Sequence, residues 1–169
     1  IATKAFSNET IITDAIPGSS DHNGGRLVIG PVGASAGYVF YSVGDMGAGH
    51  GGNGSRTHRG QMPDVWEGKV LRFNLVADGD AGPDAWIPND NPFTIGGVQN
   101  AAWSLGHRNP QGLVFGPDGT LYEAEHGPYS DDEVNIIRRA NNYGFPLVVG
   151  YADGNYDGSK AGAGSALPL

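Results

Sequence analysis

Residue 22 is a histidine surrounded by polar residues, within the segment SSDHNGGRLVIGP of residues 19–31. Asp21 precedes it, and two glycines separate it from the apolar run that follows. An imidazole, which titrates near pH of about 6.5 when unperturbed, is a natural general base at neutral pH, and a nearby carboxylate can fix its tautomer. The alternative is a surface turn, in which Asp21 accepts a backbone N–H and His22 is solvated. The dipeptide leaves both interpretations open.

Three polar residues, His107, Arg108 and Asn109, stand together immediately before Pro110. They cannot all face solvent if the chain is extended, because successive side chains of a strand point to opposite faces. Arg presents a fork of N–H donors suited to a carboxylate or a developing oxyanion, and Asn both donates and accepts hydrogen bonds. The alternative is a buried network that holds two sheets together. A binding role and a structural role are both open here.

Carboxylates surround a Gly-Pro turn in the segment EHGPYSDDEVN of residues 125–135. The acidic residues are Glu125, Asp131, Asp132 and Glu133. Because Ca²⁺ prefers carboxylate and carbonyl oxygens, the segment predicts an irregular calcium site. The segment DGNYDG at 153–158 resembles the start of an EF-hand loop, but its twelfth position is Gly164 rather than Glu. An EF-hand is therefore excluded.

The composition predicts an all-β protein and excludes several classes of partner. The 169 residues include 29 Gly and 11 Pro, and no long amphipathic helix pattern occurs, which is typical of many short strands joined by turns. A net charge of −8 argues against nucleic acid as a partner, because phosphate neutralisation needs a basic face. No run approaches the roughly 20 apolar residues of a membrane span. There is no Cys, and His50, His58 and His126 lack zinc-ligand spacing.

Two segments, residues 26–45 and 112–128, follow the same order of strand, Gly-Pro turn and strand. Their Gly-Pro turns are 86 residues apart. Half of that spacing is close to the roughly 40 to 50 residues of a β-propeller blade. The segment GKVLRFNLVADGD at 68–80 then supplies a strand of an intervening blade. Residues 1–169 are thus predicted to be one partial propeller domain of about three to four blades.

So few blades cannot close a ring, and the chain stops at GSALPL without a terminal element. We therefore expect an internal piece of a longer protein. The loops at one end of a propeller carry its chemistry, since loops on a rigid scaffold can converge. The polar runs that would do so here are 19–25, 45–62, 104–111 and 126–133. The irregular stretch 49–64 is expected to be an exposed loop.

Six motifs occur in order along the chain: SSDHNGGRLVIGP, YSVGD, GKVLRFNL, LGHRNPQGL, EHGPYSDDEVNIIRRANNYGFP and VGYAD. On these motifs the chain resembles the soluble quinoprotein glucose dehydrogenases of the glucose/sorbosone dehydrogenase family. The resemblance implies a six-bladed β-propeller that uses pyrroloquinoline quinone (PQQ) and calcium. The SSDH and YSDDE forms are closer to the glucose-type enzymes than to the family's aldose-dehydrogenase relatives.

The resemblance also implies roles for individual residues. His22 matches the catalytic base that takes the proton of the anomeric hydroxyl as hydride moves to the quinone, and Asp21 matches the carboxylate that orients this base. Arg108 and Asn109 match residues that bind PQQ, with Arg108 beside the quinone oxygen that gains negative charge. His50 stands where the family has a PQQ-contacting Gln, so the resemblance implies a contact between His50 and the cofactor.

Two calcium sites are implied in the same way. The first uses the turn carbonyls of Gly127 and Pro128, and its ion also ligates PQQ. The second is structural, with ligands that are partly backbone carbonyls, and its residues are Glu133, Tyr143, Val149, Tyr151 and Asp153. Phe145 stands where the family usually has Trp, a difference expected to affect packing alone.

The resemblance implies PQQ- and calcium-dependent oxidation of an aldose, such as glucose, to its lactone, with electrons passed to a soluble or membrane acceptor. Such an enzyme is expected to be periplasmic or secreted, and a homodimer is one expected state. Two other functions stay open: a non-catalytic propeller that binds a protein partner, and a calcium-stabilised structural module. The family's cationic ligands for the three PQQ carboxylates are absent from these residues, so the fragment alone is expected to be inactive.

Overall fold

The computed structural model describes residues 9–128 and 130–150, which form β-strands joined by turns and short 3-10 helices. The strands are β1 (Gly24–Ile29), β2 (Tyr38–Val43), β3 (Lys69–Asn74), β4 (Thr94–Ile95), β5 (Val98–Gln99), β6 (Ala102–Leu105), β7 (Pro110–Phe115), β8 (Leu121–Glu125) and β9 (Glu133–Ile137). The 3-10 helices are Gly33–Ser35, Gly51–Asn53 and Gly82–Trp86. Within those ranges, no helix has the length and apolar character that a membrane crossing requires. The prediction of an all-β protein is confirmed.

The strands form two blade-like antiparallel sheets and a small hairpin. The first sheet has four strands in the order β1-β2-β3-β6, and the second has three in the order β7-β8-β9. Strands β4 and β5 pair separately, within the connection between β3 and β6. The first strands of the two sheets, β1 and β7, are in contact. A four-stranded antiparallel sheet is the unit from which propellers are built.

The expected intervening blade is wrong. The strand predicted in 68–80 is β3, and it pairs with β2 along its whole length as part of the first sheet. The two Gly-Pro turns follow β1 and β7, so their spacing spans one sheet rather than two. The connections 44–68 and 75–101 lengthen this repeat without adding a blade. The described part of the chain thus has two blade-like sheets and one two-stranded sheet.

The central strand β3 is buried along its whole length, because both faces of the first sheet are covered. Adjacent residues of a strand point to opposite faces, so Leu71 joins one apolar cluster and Val70 joins the other. The first cluster also contains Val43, Met46, Phe73, Ile87 and Leu105. The second contains Phe40, Leu113, Leu121 and Ile137, and it therefore joins the first sheet to the second. This apolar interface gives the connecting loops a rigid support.

The polar loops meet at one end of the two sheets. The register pairs Val43 with Lys69 and Lys69 with Leu105, so the loops that follow β2 and β6 start at the same level. The two sheets are joined there by a hydrogen bond of 2.7 Å from the Asp45 N–H to the Arg108 carbonyl. We call this end of the sheets the site end. It gathers the loops 19–23, 44–68 and 106–109, together with residues 126–128 and 130–132.

Candidate active site

His22 is held just before β1 in a backbone conformation that few non-glycine residues adopt. Its φ is 48°, in the left-handed region. Its carbonyl oxygen accepts the N–H of Met46 at 3.3 Å, and a Cβ on Gly44 would overlap that oxygen. The loop after β2 can pass this close to His22 because position 44 is glycine. The close approach buries His22, which is 8% exposed.

The imidazole of His22 is oriented by a carboxylate that the sequence analysis did not assign, that of Asp45. The Nδ1 atom of His22 lies 2.7 Å from Asp45 Oδ1, and both side chains are almost fully buried. The same oxygen accepts the N–H of Gly47 at 2.9 Å. Because a carboxylate only accepts, we assign the imidazole proton to Nδ1, which leaves the lone pair of Nε2 as the proton acceptor. Asp45 ends the YSVGD motif, and that motif was the one available signal for it.

Asp21 and His50 form the more exposed side of this site. Asp21 Oδ1 accepts the N–H of His22 at 2.9 Å, and Asp21 Oδ2 lies 2.8 Å from His50 Nδ1. The hydrogen bond from His50 is the main cause that lowers the pKa of Asp21, so this carboxyl is ionised at neutral pH. The rings of His22 and His50 stack with their centroids 5.3 Å apart. The structure thus places His50 against Asp21 and His22.

Arg108 and Asn109 connect the second sheet to the loops that hold His22. Arg108 is 5% exposed, and its Nη1 donates to the carbonyls of His126 at 2.9 Å and Gly127 at 2.8 Å. Asn109 Oδ1 accepts the N–H of Gly24 at 3.3 Å. The LGHRNPQGL motif and the SSDHNGG motif, far apart in the sequence, therefore meet at one place.

His107, the first residue of that polar triplet, has a structural role. It is fully buried, with Nδ1 3.0 Å from Glu125 Oε2 and Nε2 2.8 Å from Ser104 Oγ. Glu125 also accepts the backbone N–H of Arg108. His107 and Glu125 therefore link β6 to β8 and fix the backbone from which the Arg108 side chain extends. His107 therefore belongs to a buried network, as the structural alternative predicted. Its two neighbours, Arg108 and Asn109, reach the site instead.

Beneath this network lies a carboxyl group that burial keeps protonated, that of Glu123. Its side chain is fully buried, and its Oε2 accepts the Asn135 side-chain amide at 3.1 Å. Its Oε1 has no hydrogen-bond partner among the described residues. Burial, and secondarily the charge of Glu125, raise the pKa of Glu123 to about 9. A neutral Glu123 avoids a second negative charge next to Glu125.

His58 approaches the site from the long loop 44–68, and its spacing in the sequence gave no sign of this. A Cβ on Gly49 would lie 2.6 Å from His58 Nε2, and the imidazole packs edge-on against Phe145. Burial lowers the pKa of His58, with opposing influences from the charges of Asp45 and Arg108. His58 is therefore a neutral imidazole at neutral pH and lies within electrostatic range of both groups.

The loop that carries His58 is fixed by Lys69, the first residue of β3. The ammonium group of Lys69 is fully buried and donates to the carbonyls of Arg59 at 3.0 Å, Gly60 at 2.9 Å and Glu67 at 2.7 Å. Three carbonyls take all three N–H donors of an ammonium. The expectation of an exposed loop at 49–64 therefore holds for most of its residues, but Gly60 is buried and the residues around it are anchored to the sheet.

The predicted calcium ligands gather around one small cavity of about 10 Å³. The residues that line it include Gly127, Pro128, Glu133, Tyr143 and Val149. Tyr151 and Asp153 lie outside the described residues. A cavity of that size has room for about one water molecule or ion. The structure brings five of the seven predicted residues together.

The donors at this cavity fit calcium. Glu125, Asp131 and Glu133 line it along with the turn carbonyls, and hard oxygen donors of this kind are what Ca²⁺ takes. The Tyr143 hydroxyl donates to the Ile136 carbonyl, so Tyr143 would have to offer its own carbonyl oxygen. The Gly127 carbonyl accepts from Arg108, so an ion at Gly127 would require this guanidinium to turn away.

Three polar groups at the site end suit PQQ and a sugar. The guanidinium of Arg108 and the amide of Asn109 are suited to quinone and carboxylate oxygens. Asp45 Oδ2 is buried and has no hydrogen-bond partner among the described residues. A buried carboxylate oxygen of this kind is an acceptor for a hydroxyl donor such as a sugar provides.

Comparison with known proteins connects this geometry to a family. The family model described as glucose/sorbosone dehydrogenase matches residues 2–168. The chain is 42% identical over 164 residues to quinoprotein glucose dehydrogenase B of Acinetobacter calcoaceticus, covering 90% of this chain and 31% of that protein. It is 37% identical over 144 residues to an aldose sugar dehydrogenase of Escherichia coli, covering 84% of this chain and 33% of that protein.

Solved structures give the same result. The PQQ-bound form of an aldose sugar dehydrogenase from Streptomyces coelicolor is 31% identical, with a TM-score of 0.62 over 83% of this chain and 35% of that chain. The two blade-like sheets and this similarity confirm the predicted β-propeller class. The chain spans about a third of the length of the curated relatives it matches, 31% of one and 33% of the other.

Proposed function

Because this chain belongs to the glucose/sorbosone dehydrogenase family, we propose that it carries the catalytic base of a PQQ- and calcium-dependent enzyme that oxidises an aldose sugar to its lactone. The observation that carries this proposal is the buried pair of His22 and Asp45, with 2.7 Å between Nδ1 and Oδ1. On the Nε2 side of His22, Asp21 Oδ1 lies 3.6 Å away, and the Asp21 side chain is 39% exposed. The cationic group that the oxidation needs is Arg108, whose carbonyl accepts the N–H of Asp45.

The residues divide the reaction as follows. Nε2 of His22 takes the proton of the anomeric hydroxyl, and the C–H electron pair leaves the same carbon as hydride, so the carbon becomes the carbonyl of the lactone. The negative charge of Asp45 stabilises the imidazolium that forms. When bound, PQQ would supply the two-electron acceptor for the hydride. The Arg108 guanidinium would stabilise the negative charge that develops on that acceptor.

Asp21 acts on both the base and the sugar in this proposal. One of its oxygens accepts the His22 backbone N–H, which helps to hold the left-handed conformation of His22. Its side chain is 39% exposed, so it can also accept a hydrogen bond from a sugar hydroxyl. For calcium, Gly127 and Pro128 would hold the ion nearest to Arg108. Glu133, Tyr143 and Val149, with Tyr151 and Asp153, would hold the structural ion.

The test is His22→Ala in the longest native polypeptide that contains these residues. Loss of the base should lower kcat/KM for glucose and other aldoses by about 10² to 10⁴-fold, while PQQ binding, followed by fluorescence, is retained. Ser35→Ala, in the turn at the opposite end of the sheets, is the matched control and should keep the parent's rate. If His22→Ala oxidises all aldoses tested at the parent's rate, His22 is not the base.

A further inference from the structure

Three side chains at the open side of the site present metal-binding atoms toward one another: Asp21, His22 and His50. Their ligand atoms all lie within 4.8 Å of one another. His50 Nδ1 is 2.8 Å from Asp21 Oδ2, and His22 Nε2 is 3.6 Å from Asp21 Oδ1. The two imidazole rings are nearly parallel, at 18°. Two imidazoles and one carboxylate on one side of a metal ion is a ligand set that transition metals occupy.

We propose that Asp21, His22 and His50 form a binding site for a first-row transition-metal dication, with Zn²⁺ as the ion of first choice. Zinc binds imidazole nitrogen and carboxylate oxygen at about 2.0 to 2.2 Å, and these flexible side chains need small movements to reach that distance. Calcium does not suit the site, because Ca²⁺ prefers six to eight oxygen ligands. The site is therefore separate in chemistry from the calcium cavity at Glu133.

The residues around the triad of Asp21, His22 and His50 orient a ligand and leave access for an ion. Nδ1 of His22 is bonded to the buried carboxylate of Asp45 at 2.7 Å, so Nε2 is directed toward the ion. Carboxylates of this kind behind a histidine ligand orient the ring and raise its basicity. The side chains of His50 and Asp21 are 59% and 39% exposed, so an ion can enter from solvent. Water would complete the coordination on that open side.

His50 lies far from His22 in the sequence, which is why the spacing of the histidines gave no sign of a zinc site. The structure brings His50 back over Asp21 through the turn that follows Asp45. Its contribution gives the triad a direct test. Without His50, Asp21 and His22 alone would leave two protein ligands, fewer than the three that zinc sites with a water ligand use.

The consequence for catalysis rests on the proposed function of His22. An ion on Nε2 occupies the lone pair that would otherwise accept the sugar proton. Zinc should therefore inhibit the enzyme, and sugar and zinc should exclude each other.

Binding is tested on metal-free, PQQ-free protein by Zn²⁺ titration calorimetry at pH 7.5 in the presence of excess Ca²⁺. We expect one zinc equivalent bound with micromolar or tighter affinity, and an affinity loss of about 10-fold or more in His50→Gln. His126→Gln is the matched control, because its imidazole is 57% exposed and does not belong to the triad, and it should keep the parent's affinity. The proposal would be overturned by equal zinc affinity in the parent and His50→Gln. It would also be overturned if the parent bound no zinc with a Kd below about 1 mM.

Inhibition is tested separately, with each variant compared with its own rate without zinc. Zinc that binds should abolish most of the parent's activity, and the inhibitory concentration should rise about 10-fold or more in His50→Gln. A zinc-selective chelator should restore activity while excess calcium is kept present. If zinc binds through His50 and the activity is unchanged, the metal site stands and the assignment of His22 as base fails. If zinc does not bind, the metal site fails and the assignment of His22 is unaffected.

Discussion

Asp45→Asn is the substitution that most directly tests how the base is set up. The change keeps the size of the side chain and removes the charge that holds His22 Nδ1 at 2.7 Å. An Asn at this position can donate to Nδ1, which would move the imidazole proton to Nε2 and remove the lone pair that accepts the sugar proton. Asp45 acts through His22, so we regard it as a positioning residue.

The magnitude follows from burial and bond type. The side chains of His22 and Asp45 are 6% and 1% exposed, so water screens their interaction little. A hydrogen bond to a charged group contributes about 1.5 to 3 kcal/mol, which corresponds to about 10- to 150-fold in rate. The wrong tautomer adds to this loss, so we expect kcat/KM to fall by about 10² to 10⁴-fold.

The assay is aldose-dependent dye reduction with PQQ and calcium, over a range of pH, in the longest native polypeptide that contains these residues. A purely structural effect would lower PQQ binding, followed by fluorescence, together with kcat/KM. The wrong tautomer should instead lower kcat/KM while PQQ binding is retained. The melting temperature should be recorded for each variant as a folding control. An Asp45→Asn protein with the parent's kcat/KM would refute this account of the pair.

The remaining predictions concern stability and metal binding. The folded-state pKa of Glu123 is about 9, above its ordinary 4.5, so its contribution to stability is complete below pH 4.5 and is lost as pH rises toward 9, by at most about 1.4 kcal/mol per pH unit. Glu123→Gln resembles the protonated form, and its melting temperature should therefore fall less than the parent's between pH 5 and 8; identical pH profiles would refute this. Lys69→Met removes three hydrogen bonds and leaves the Glu67 carbonyl without a donor among the described residues, so it should cost about 1 to 3 kcal/mol in chemical denaturation, with increased proteolysis in 49–64; a loss below about 1 kcal/mol would show that the loop does not depend on the ammonium. Calcium at 100-fold excess over Kd should add about 2.7 kcal/mol of stability, and Glu133→Gln should reduce the response of the melting temperature to chelation; an equal response in parent and variant would exclude Glu133 as a ligand.

The fold class and the loops that carry the candidate site could be predicted from the sequence because they depend on local signals. Alternating apolar residues and Gly-Pro turns identify the hairpins β1–β2 and β7–β8. The polar runs at their ends identify the loops. The resemblance to a family then placed His22 and Arg108 in one site, and the structure joins their loops through the hydrogen bond between Asp45 and Arg108.

The parts that could not be predicted depend on the lengths of connections and on contacts between distant residues. A repeat of strands and turns does not tell whether β3 begins a new sheet or continues the first, since the pairing partner of a strand is not written in its own residues. The positions of Asp45, His50 and His58 at the site follow from the path of loop 44–68. The second half of that path is held by the ammonium of Lys69, whose partners are backbone carbonyls that carry no side-chain signature.

The position of the pair on the first hairpin has a consequence for the order of folding. One residue separates His22 from the start of β1, and one residue separates Asp45 from the end of β2. The two side chains therefore lie at the open end of one antiparallel hairpin, next to the register pair Gly24 and Val43. Forming this hairpin closes most of the loop between them, and the extra entropy lost on bringing the pair together is small. Arg108 reaches them after the second sheet docks on the first, a contact of much longer range. We expect the base and its carboxylate to form early and the cationic half of the site to join late, so that sheet docking is the step at which catalytic competence is gained.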